Sequence, residues 1–496
     1  MNAVYTDGNV GIGTTTPTSA LEVNGTGRFT NTLTLNPASD LALNLSSGSV
    51  YKGGVPFMHN KGGGNNTALG LFALSNVTAG SDNTANGTNA LNNNTTGNSN
   101  TASGKSALAF NTTGFNNTAS GSQALLSNTT GSSNTATGKD ALVSNTTGSD
   151  NTAHGTAALF ANTTGNSNTA SGISALSSNN TGSSNTANGS FALNSNTTGS
   201  SNTASGSFAL LSNTTGNSNT ASGSFALISN ITGSDNTANG KDALFSNTTG
   251  PSNTAIGSGA LSFNTTGSSN TANGKEALFS NSTGFSNAAI GKDALFSNTT
   301  GSNNIAIGQG AGFNLTTGSN NIMIGNDGVA AETATIRMGT PANQTRAFVA
   351  GIRGITTANA NAIPVLIDSA GQLGTVSSSR RFKEDIRDMG TSTDRLLDLR
   401  PVLFKYKQDQ TMPDGSSVPP EYGLIAEEVA QIFPDLVVYD EKGVPFTVKY
   451  HILSSMLLNE VKKMKAEHDA RLTRLERTEE ELANLKVLVN SLAEKR

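Results

Sequence analysis

The chain has 496 residues, with 30 Lys and Arg, 34 Asp and Glu, no cysteine and a formal net charge of −4 at pH 7. This mixed charge disfavours nucleic acid as a partner, no apolar run reaches the length that a bilayer requires, and the lack of cysteine excludes disulfides, thiolate metal sites and cysteine nucleophiles. Charge is concentrated at one end, because 19 of the basic and 21 of the acidic residues lie from Ser378 onward. We therefore expect several domains, with no cofactor, no metal, no nucleic acid and no membrane partner.

Residues 1–65 contain short alternating segments broken by Gly, Pro and Asn, which predict β-strands at residues 8–13, 19–23 and 32–36. Residues 10–17 resemble segments common in phage tail-fibre-like proteins, so we interpret this region as a β-rich attachment or shaft segment. Its first residues lack a basic stretch followed by an apolar core. We expect no secretory signal peptide and synthesis in the cytoplasm.

A 17-residue unit, N-T-A-x-G-x-x-A-L-x-x-N-T-T-G-S-x, begins at Asn66 and recurs without insertion or deletion until its sixteenth copy begins at Asn321. Unit positions are numbered 1–17 below. Positions 2–4 and 8–11 can form strands, while Gly at position 5 and N-T-T-G at positions 12–15 can form corners. The period predicts a mainly β fold, in which residues 66–337 form a parallel β-solenoid, or β-roll, of sixteen coils.

Strand alternation in the second segment would point Leu at position 9 to one side and positions 8 and 10 to the other. Position 10 is often apolar, so we expect an outward stripe that requires a partner. Its apolar members include Leu126, Val143, Phe160, Leu211, Ile228, Phe245, Phe279, Phe296 and Phe313.

The N-x-A-I-G strands of the last coils resemble the β-roll heads of trimeric autotransporter adhesins. That resemblance implies a homotrimer with a surface that contacts a glycan or a matrix, although we expect no C-terminal membrane-anchor barrel of the kind that those adhesins carry. His154 has no second histidine or carboxylate cluster near it, so a solvated side chain is favoured over a metal ligand.

Residues 338–377 contain short β-prone segments, at residues 347–352 and 363–368, and predict a β stalk. After them, residues 378–386 resemble the start of the intramolecular chaperone auto-processing domain of phage tail spikes, endosialidases and fibre proteins. Further matches to that family's motifs follow in order at residues 396–406, 422–429, 433–437 and 448–450. The resemblance implies an α+β chaperone domain at residues 378–450.

In that family a Ser-Lys dyad cuts the chain immediately before the serine, which implies Ser378 as nucleophile and Lys383 as general base. Five residues on a helix correspond to about 140° of rotation, so Ser378 should precede a helix and Lys383 should reach back from its first turn or from a neighbouring subunit. Ser377 and Ser379 remain alternative nucleophiles. The alternative without catalysis is a serine that caps a helix and a solvated lysine, in an uncleaved chaperone domain.

Heptads in residues 451–496 predict a C-terminal helix that forms a parallel coiled coil. The first core position, a, holds Val461, His468, Leu475, Leu482 and Val489, and the second, d, holds Met464, Arg471, Thr478, Leu485 and Leu492. Such a coiled coil would align three chain ends before the β region assembles.

Together these features predict a homotrimeric fibre for host attachment, in the virion of a phage or in a phage-derived particle. Its N-terminus would join a baseplate or tail, its solenoid would contact a cell-surface receptor or glycan, and its C-terminal domain would cleave itself off once as a serine endopeptidase. Alternatives are an extracellular filament or adhesin with an uncleaved chaperone, and a glycan-degrading tail spike. The spike is disfavoured because the repeats carry only scattered acidic residues.

Overall fold

The computed structural model describes residues 3–6, 9–12, 21–23, 50–52, 55–60, 64–340, 343–350, 352, 362–368, 370–407, 419–440 and 442–495. The chain forms two compact units, Met1–Val349 and Ala350–Arg496. No helix in these described ranges is both long enough and apolar enough to cross a bilayer. The strand predicted at residues 32–36 lies outside the described residues.

The first unit begins with short strands. Strands β1 (Ala3–Thr6), β2 (Asn9–Ile12) and β3 (Leu21–Val23) form a small sheet, antiparallel between β1 and β2 and parallel between β2 and β3. Strands β4 (Val50–Lys52) and β5 (Val55–His59) form a hairpin, and β5 pairs antiparallel with the strand of the first coil. The hairpin thereby covers the strand edge that the first coil would otherwise leave unpaired.

The repeats form a parallel β-solenoid of 17-residue coils, as predicted. Each coil contributes one three-residue strand at positions 2–4, and neighbouring strands pair in register, for example Thr84 with Thr101 and Ala85 with Ala102. A final strand, β22 (Ile336–Met338), pairs with the last coil. The sixteen coil strands are β6 (Thr67–Leu69), β7 (Thr84–Asn86), β8 (Thr101–Ser103), β9 (Thr118–Ser120), β10 (Thr135–Thr137), β11 (Thr152–His154), β12 (Thr169–Ser171), β13 (Thr186–Asn188), β14 (Thr203–Ser205), β15 (Thr220–Ser222), β16 (Thr237–Asn239), β17 (Thr254–Ile256), β18 (Thr271–Asn273), β19 (Ala288–Ile290), β20 (Ile305–Ile307) and β21 (Ile322–Ile324).

The second strand predicted at positions 8–11 is wrong, because this segment is a succession of turns. Positions 7 and 9 have left-handed backbone, with φ of 59° at Asn89 and 48° at Leu91. The strand alternation is therefore lost, and Ala90 and Leu91 are both fully buried instead of pointing to opposite sides. Left-handed backbone costs roughly 1–2 kcal/mol per non-glycine residue. Hydrogen bonds between coils offset this cost, as from Leu91 N to Ala107 O at 3.0 Å.

Two glycines per coil permit close stacking. At position 5, Gly104 has a φ of 142°, and a Cβ there would lie 2.3 Å from the carbonyl oxygen of Gly121 in the next coil. At position 15, a Cβ on Gly114 would lie 2.3 Å from Gly131 O and 2.4 Å from Asn111 Oδ1. Neither site has room for a side chain.

The solenoid core is narrow, with Ala at positions 3 and 8 and Leu at position 9 fully buried in coil after coil. Two columns of buried asparagine, at positions 1 and 12, lie beside this apolar core. Asn202 Nδ2 donates to Asn185 Oδ1 in the previous coil at 3.2 Å and to Gly216 O in its own coil at 2.8 Å. Asparagine side chains therefore hydrogen-bond along the solenoid axis, inside the coil.

The second unit contains short elements followed by one long helix. Its buried core joins side chains from several of them: Leu396, Val429, Leu436, Val437, Val448 and Met456. The strands are β23 (Leu366–Ile367) with β24 (Leu373–Gly374), β25 (Val402–Phe404) with β26 (Glu421–Gly423), and β27 (Val437–Tyr439) with β28 (Pro445–Val448), each pair antiparallel. The 3-10 helices are η1 (Arg380–Phe382), η2 (Gly390–Asp398) and η3 (Pro434–Leu436), and the α-helices are α1 (Ala426–Ile432) and α2 (Tyr450–Ala493).

Two strand predictions before η1 are only partly met. The segment predicted at residues 363–368 is a strand only at β23, while the described residues 347–350 contain no strand. In both segments the described side chains are mostly exposed, so little packing favours an extended ladder there.

Candidate functional site

The candidate cleavage site lies in an exposed segment before the folded part of the second unit. Ser377, Ser378 and Ser379 have no regular secondary structure, and Ser379 precedes η1. Lys383 follows η1 in extended backbone, and its N–H donates to Arg380 O at 3.1 Å. The α-helix expected after Ser378 is wrong, because a single 3-10 turn separates the serines from the lysine.

Ser378 and Lys383 are both exposed in the single chain, and no hydrogen bond joins their side chains within the described part of this segment. The Ser379 side chain does not cap η1. Arg381 lies over the neighbouring Phe382 ring, with its guanidinium carbon 4.7 Å from the ring centroid. The chain therefore presents the two residues at opposite ends of one turn, without a group that buries the lysine amine.

A buried polar cluster joins η2 to the start of α2. The Thr393 hydroxyl and Lys463 Nζ both hydrogen-bond the Glu460 carboxylate, and Thr393 and Glu460 are buried. Asn459 Nδ2 donates to Thr393 Oγ1 at 2.6 Å and to Gly390 O at 3.1 Å. The hydrogen bond from Lys463, and then the one from Thr393, lowers the pKa of Glu460 below its ordinary value of 4.5. The cluster fixes α2 against the domain by directional bonds.

Lys463 also hydrogen-bonds Asp394, and this contact is the largest cause that raises the lysine pKa above 10.5, followed by the contact with Glu460. Sequence reasoning missed these residues entirely. Thr393 and Glu460 are 67 residues apart, and Asp394 and Lys463 are 69 apart. No spacing rule connects residues at that distance, and within a helix Glu460 looks like any solvated acid.

Tyr450 and Arg400, which lie in the motifs that resemble the chaperone domain, make contacts between separate segments. Tyr450 Oη accepts a hydrogen bond from Leu424 N at 2.9 Å, which ties the first residue of α2 to the segment before α1. Arg400 forms a two-pronged ion pair with Glu428, and its hydrogen bond lowers the pKa of that carboxylate. The motif residues Tyr450, Arg400 and Glu428 therefore connect separate segments of the second unit.

Helix α2 has one face on the domain and another without a partner. Met456 and Glu460 are buried, whereas Leu457 and Val461 are 50% and 58% exposed. Exposure of apolar side chains continues to the end of the helix, where Leu492 is 60% exposed. The exposed apolar heptad residues are Leu457, Val461, Met464, Leu475, Leu482, Leu485, Val489 and Leu492. An unpartnered stripe of this length is typical of an oligomerisation helix.

The solenoid offers no catalytic cluster among its described residues. His154 is exposed at position 4 of its coil, and within the described ranges no group of three His, Asp or Glu side chains could hold a metal ion. Acidic residues at position 7 stand beside lysines at position 6, as in Lys275–Glu276 at 3.3 Å. Each such carboxylate is paired with a cation rather than with a second carboxylate.

Comparison with known proteins identifies one segment of the chain. Residues 378–438 match the family described as chaperone of endosialidase. The searches of curated proteins and of solved structures gave no match. The matched segment begins at Ser378 and includes η1, η2, β25, β26, α1 and η3. A chaperone-of-endosialidase segment near the C-terminus, preceded by sixteen 17-residue coils of β-solenoid, fits a tail fibre or tail spike with a chaperone domain.

Proposed function

We propose that the protein is a homotrimeric fibre that attaches a phage, or a particle derived from one, to a host surface, and that its C-terminal domain is an intramolecular chaperone of trimerisation. One observation carries this proposal: the a and d side chains of the 44-residue helix α2 are exposed from Leu457 to Leu492. A parallel coiled coil would bury this stripe. In this proposal, residues 1–65 join the particle, and the solenoid contacts a receptor or glycan.

The chaperone would lower the entropic cost of bringing three solenoids together. Three α2 helices that associate first bring three solenoids close together, so that later contacts between them form within one molecule instead of between three. The cluster of Thr393, Glu460 and Lys463 then has a physical purpose, because it orients the coiled coil relative to the rest of each domain. Host attachment and a virion location follow from the fit to a tail fibre and form part of the same proposal.

We further propose that the domain cleaves itself off. Ser378 Oγ attacks the carbonyl carbon of Ser377, while the neutral amine of Lys383 accepts the hydroxyl proton. The C–N bond between Ser377 and Ser378 breaks, the Ser378 nitrogen takes a proton, and an ester links the Ser377 carbonyl to Ser378 Oγ. Water then hydrolyses this ester, which leaves a carboxylate on Ser377 and restores the Ser378 hydroxyl.

In the single chain, the Lys383 side chain is exposed, so nothing around it favours the neutral amine that a general base requires. A base requires desolvation or nearby cations that lower its pKa. We propose that a neighbouring subunit supplies this burial when the trimer forms, so that cleavage follows assembly. This order would explain why the two side chains lie apart in one chain.

The test is intact-mass measurement of the purified protein together with sedimentation. Wild type is expected to split between Ser377 and Ser378, whereas Ser378→Ala and Lys383→Ala remain at the full 50.4 kDa. Lys383→Arg is a matched control, because it keeps the positive charge but cannot supply a neutral amine. Ser377→Ala and Ser379→Ala should still be cut. A full-length wild-type mass in a trimer would rule out cleavage and leave an uncleaved chaperone.

The chaperone role has a separate test. Deleting residues 378–496 before folding should abolish the trimer, whereas removing them after assembly should not. An extracellular filament remains the second candidate, since the same exposed α2 stripe could serve a permanent assembly, and end-to-end contacts in electron micrographs of purified protein would favour it. A trimer that forms normally from residues 1–377 alone would contradict the chaperone proposal.

A further inference from the structure

One side of the solenoid carries most of its exposed phenylalanines, and its side chains vary from coil to coil. This side, called the turn face, consists of positions 6, 7, 10 and 11. Its positions are neighbours across coils: the ring of Phe263, at position 11, meets the ring of Phe279, at position 10 of the next coil, with centroids 5.0 Å apart. Asn194 Nδ2, at position 10, donates to Ser174 O, at position 7 of the preceding coil, at 3.0 Å. The four positions therefore form one continuous surface.

Aromatic side chains form columns along the turn face. Phe191, Phe208 and Phe225 stack at position 7 of three successive coils, with centroids 5.5 and 5.4 Å apart and nearly parallel rings. A second column stacks at position 10, with centroids 5.1 and 5.3 Å apart, and its members are Phe279, Phe296 and Phe313. On the strand side, the outward position 2 is Thr in the first thirteen coils, and the outward position 4 is mostly Ser, Asn or Thr but is Ile256, Ile290, Ile307 and Ile324 in four coils.

The apolar area left open on this face is large. Seven turn-face phenylalanines are between 37% and 52% exposed: Phe72, Phe110, Phe160, Phe191, Phe245, Phe263 and Phe313. With about 200 Å² per Phe side chain, they alone leave roughly 600 Å² of apolar surface in water. These rings are distributed over the coils from Phe72 to Phe313, and their summed apolar area approaches the ~800 Å² per partner of a stable protein interface.

The stacking geometry selects the kind of partner. A sugar stacks on the flat face of an aromatic ring, but within each column the ring faces already contact each other. In these columns, ring edges and neighbouring aliphatic side chains such as Leu211 and Ile228 are left for contact, and these suit another protein surface. A second copy of the same chain offers such a surface at the same height in a homotrimer.

We infer that the turn face is the surface through which the solenoids of neighbouring chains pack, an inference that rests on the proposed homotrimer. Its lack of repetition also sets the register. Lys-acid pairs occupy positions 6 and 7 in only some coils, for example Lys139–Asp140 and Lys292–Asp293. Sliding one chain by a coil would place charged pairs where phenylalanines belong, which disfavours the shifted register.

The chain has no cysteine, so a single introduced cysteine reports on one position. Three sites that are exposed in the single chain are suitable: Ser178→Cys on the turn face, Ser205→Cys on the strand side, and Thr198→Cys at the corner. Each full-length variant is treated with a small maleimide, and its mass in solution is measured by sedimentation. We expect the Ser178→Cys trimer to react at least tenfold more slowly than the other two, and all three to react alike after unfolding in urea.

Trimers that label equally at Ser178→Cys and Ser205→Cys would overturn the inference and leave the homotrimer intact. Protection at Ser205→Cys instead would assign the interface to the strand side and would also overturn it. A monomeric mass for all three variants would refute the proposed trimer itself. The failure of the inference is therefore distinguishable from the failure of the proposed function.

Discussion

Replacing one buried asparagine of the solenoid tests what holds the coils together. Asn202, at position 1, is fully buried, and its Oδ1 accepts from Asn219 N at 3.0 Å and from Asn219 Nδ2 at 3.2 Å. Its Nδ2 donates to Asn185 Oδ1 and Gly216 O. In Asn202→Ala all four bonds are lost. Gly216 O keeps a second donor, Asn213 Nδ2, but the buried Asn219 N–H loses its acceptor.

The expected loss follows from that orphaned donor. A buried N–H without a partner costs about 1–3 kcal/mol, and the other lost bonds bring the total for Asn202→Ala to about 2–4 kcal/mol. Asn213→Ala at position 12 is the matched control, because it orphans a side-chain oxygen, Asn196 Oδ1, and no backbone N–H. Such an oxygen is already unpaired at Asn298 Oδ1. We expect about 1–2 kcal/mol for this variant.

Hydrogen exchange resolved by coil is the appropriate assay, since solenoids open locally. Because each 1.4 kcal/mol changes the equilibrium constant for local opening about tenfold, Asn202→Ala should speed hydrogen exchange in the adjacent coils by about 30- to 700-fold. Asn202→Asp should be worse at pH 7, because it buries a charge and cannot donate to Gly216 O, and its deficit should shrink at acidic pH when the carboxyl is protonated. Equal exchange rates in Asn202→Ala and Asn213→Ala, or an Asn202→Asp variant that exchanges like the wild type at pH 7, would refute the role assigned to these hydrogen bonds.

Three further outcomes are expected. Gly206→Ala should prevent normal stacking, because its φ is 139° and a Cβ would lie 2.6 Å from a carbonyl oxygen of the next coil. Gly259→Ala should lower the melting temperature much less, because its φ of 69° is one that other coils adopt at position 7 with non-glycine residues such as Ser106 and Asp242, and its Cβ would lie 3.3 Å from the nearest atom. Equal shifts would contradict this. Because folding lowers the pKa of Glu460, its ionised carboxylate stabilises the C-terminal unit above pH 4.5, and this contribution is lost as the pH falls through the lowered pKa of the folded state. In urea titrations, the free energy of unfolding of Glu460→Gln should therefore decrease less on acidification than that of the wild type. Leu482→Asp should yield monomers in sedimentation, while Glu480→Ser on the opposite face of α2 should not, and an intact Leu482→Asp trimer would exclude a coiled coil.

The sequence by itself determined the solenoid and its coil number, because a strict 17-residue period without insertions can only stack. It also placed glycines at the corners and located the chaperone segment, since the motifs after Ser378 lie close together in the chain and are read locally. Heptads in residues 451–496 likewise predicted the long helix. In each case the signal is a spacing of residues along the chain.

The tertiary structure alone decided how each coil turns. Leucine disfavours left-handed backbone, so no propensity could place it there, yet Leu91 adopts a φ of 48° because burial in the coil and bonds to the next coil outweigh the local strain. The same holds for Thr393 and Glu460, which only folding brings together across 67 residues. Local preference specified the period of this protein, and packing between coils and between distant segments specified its conformation.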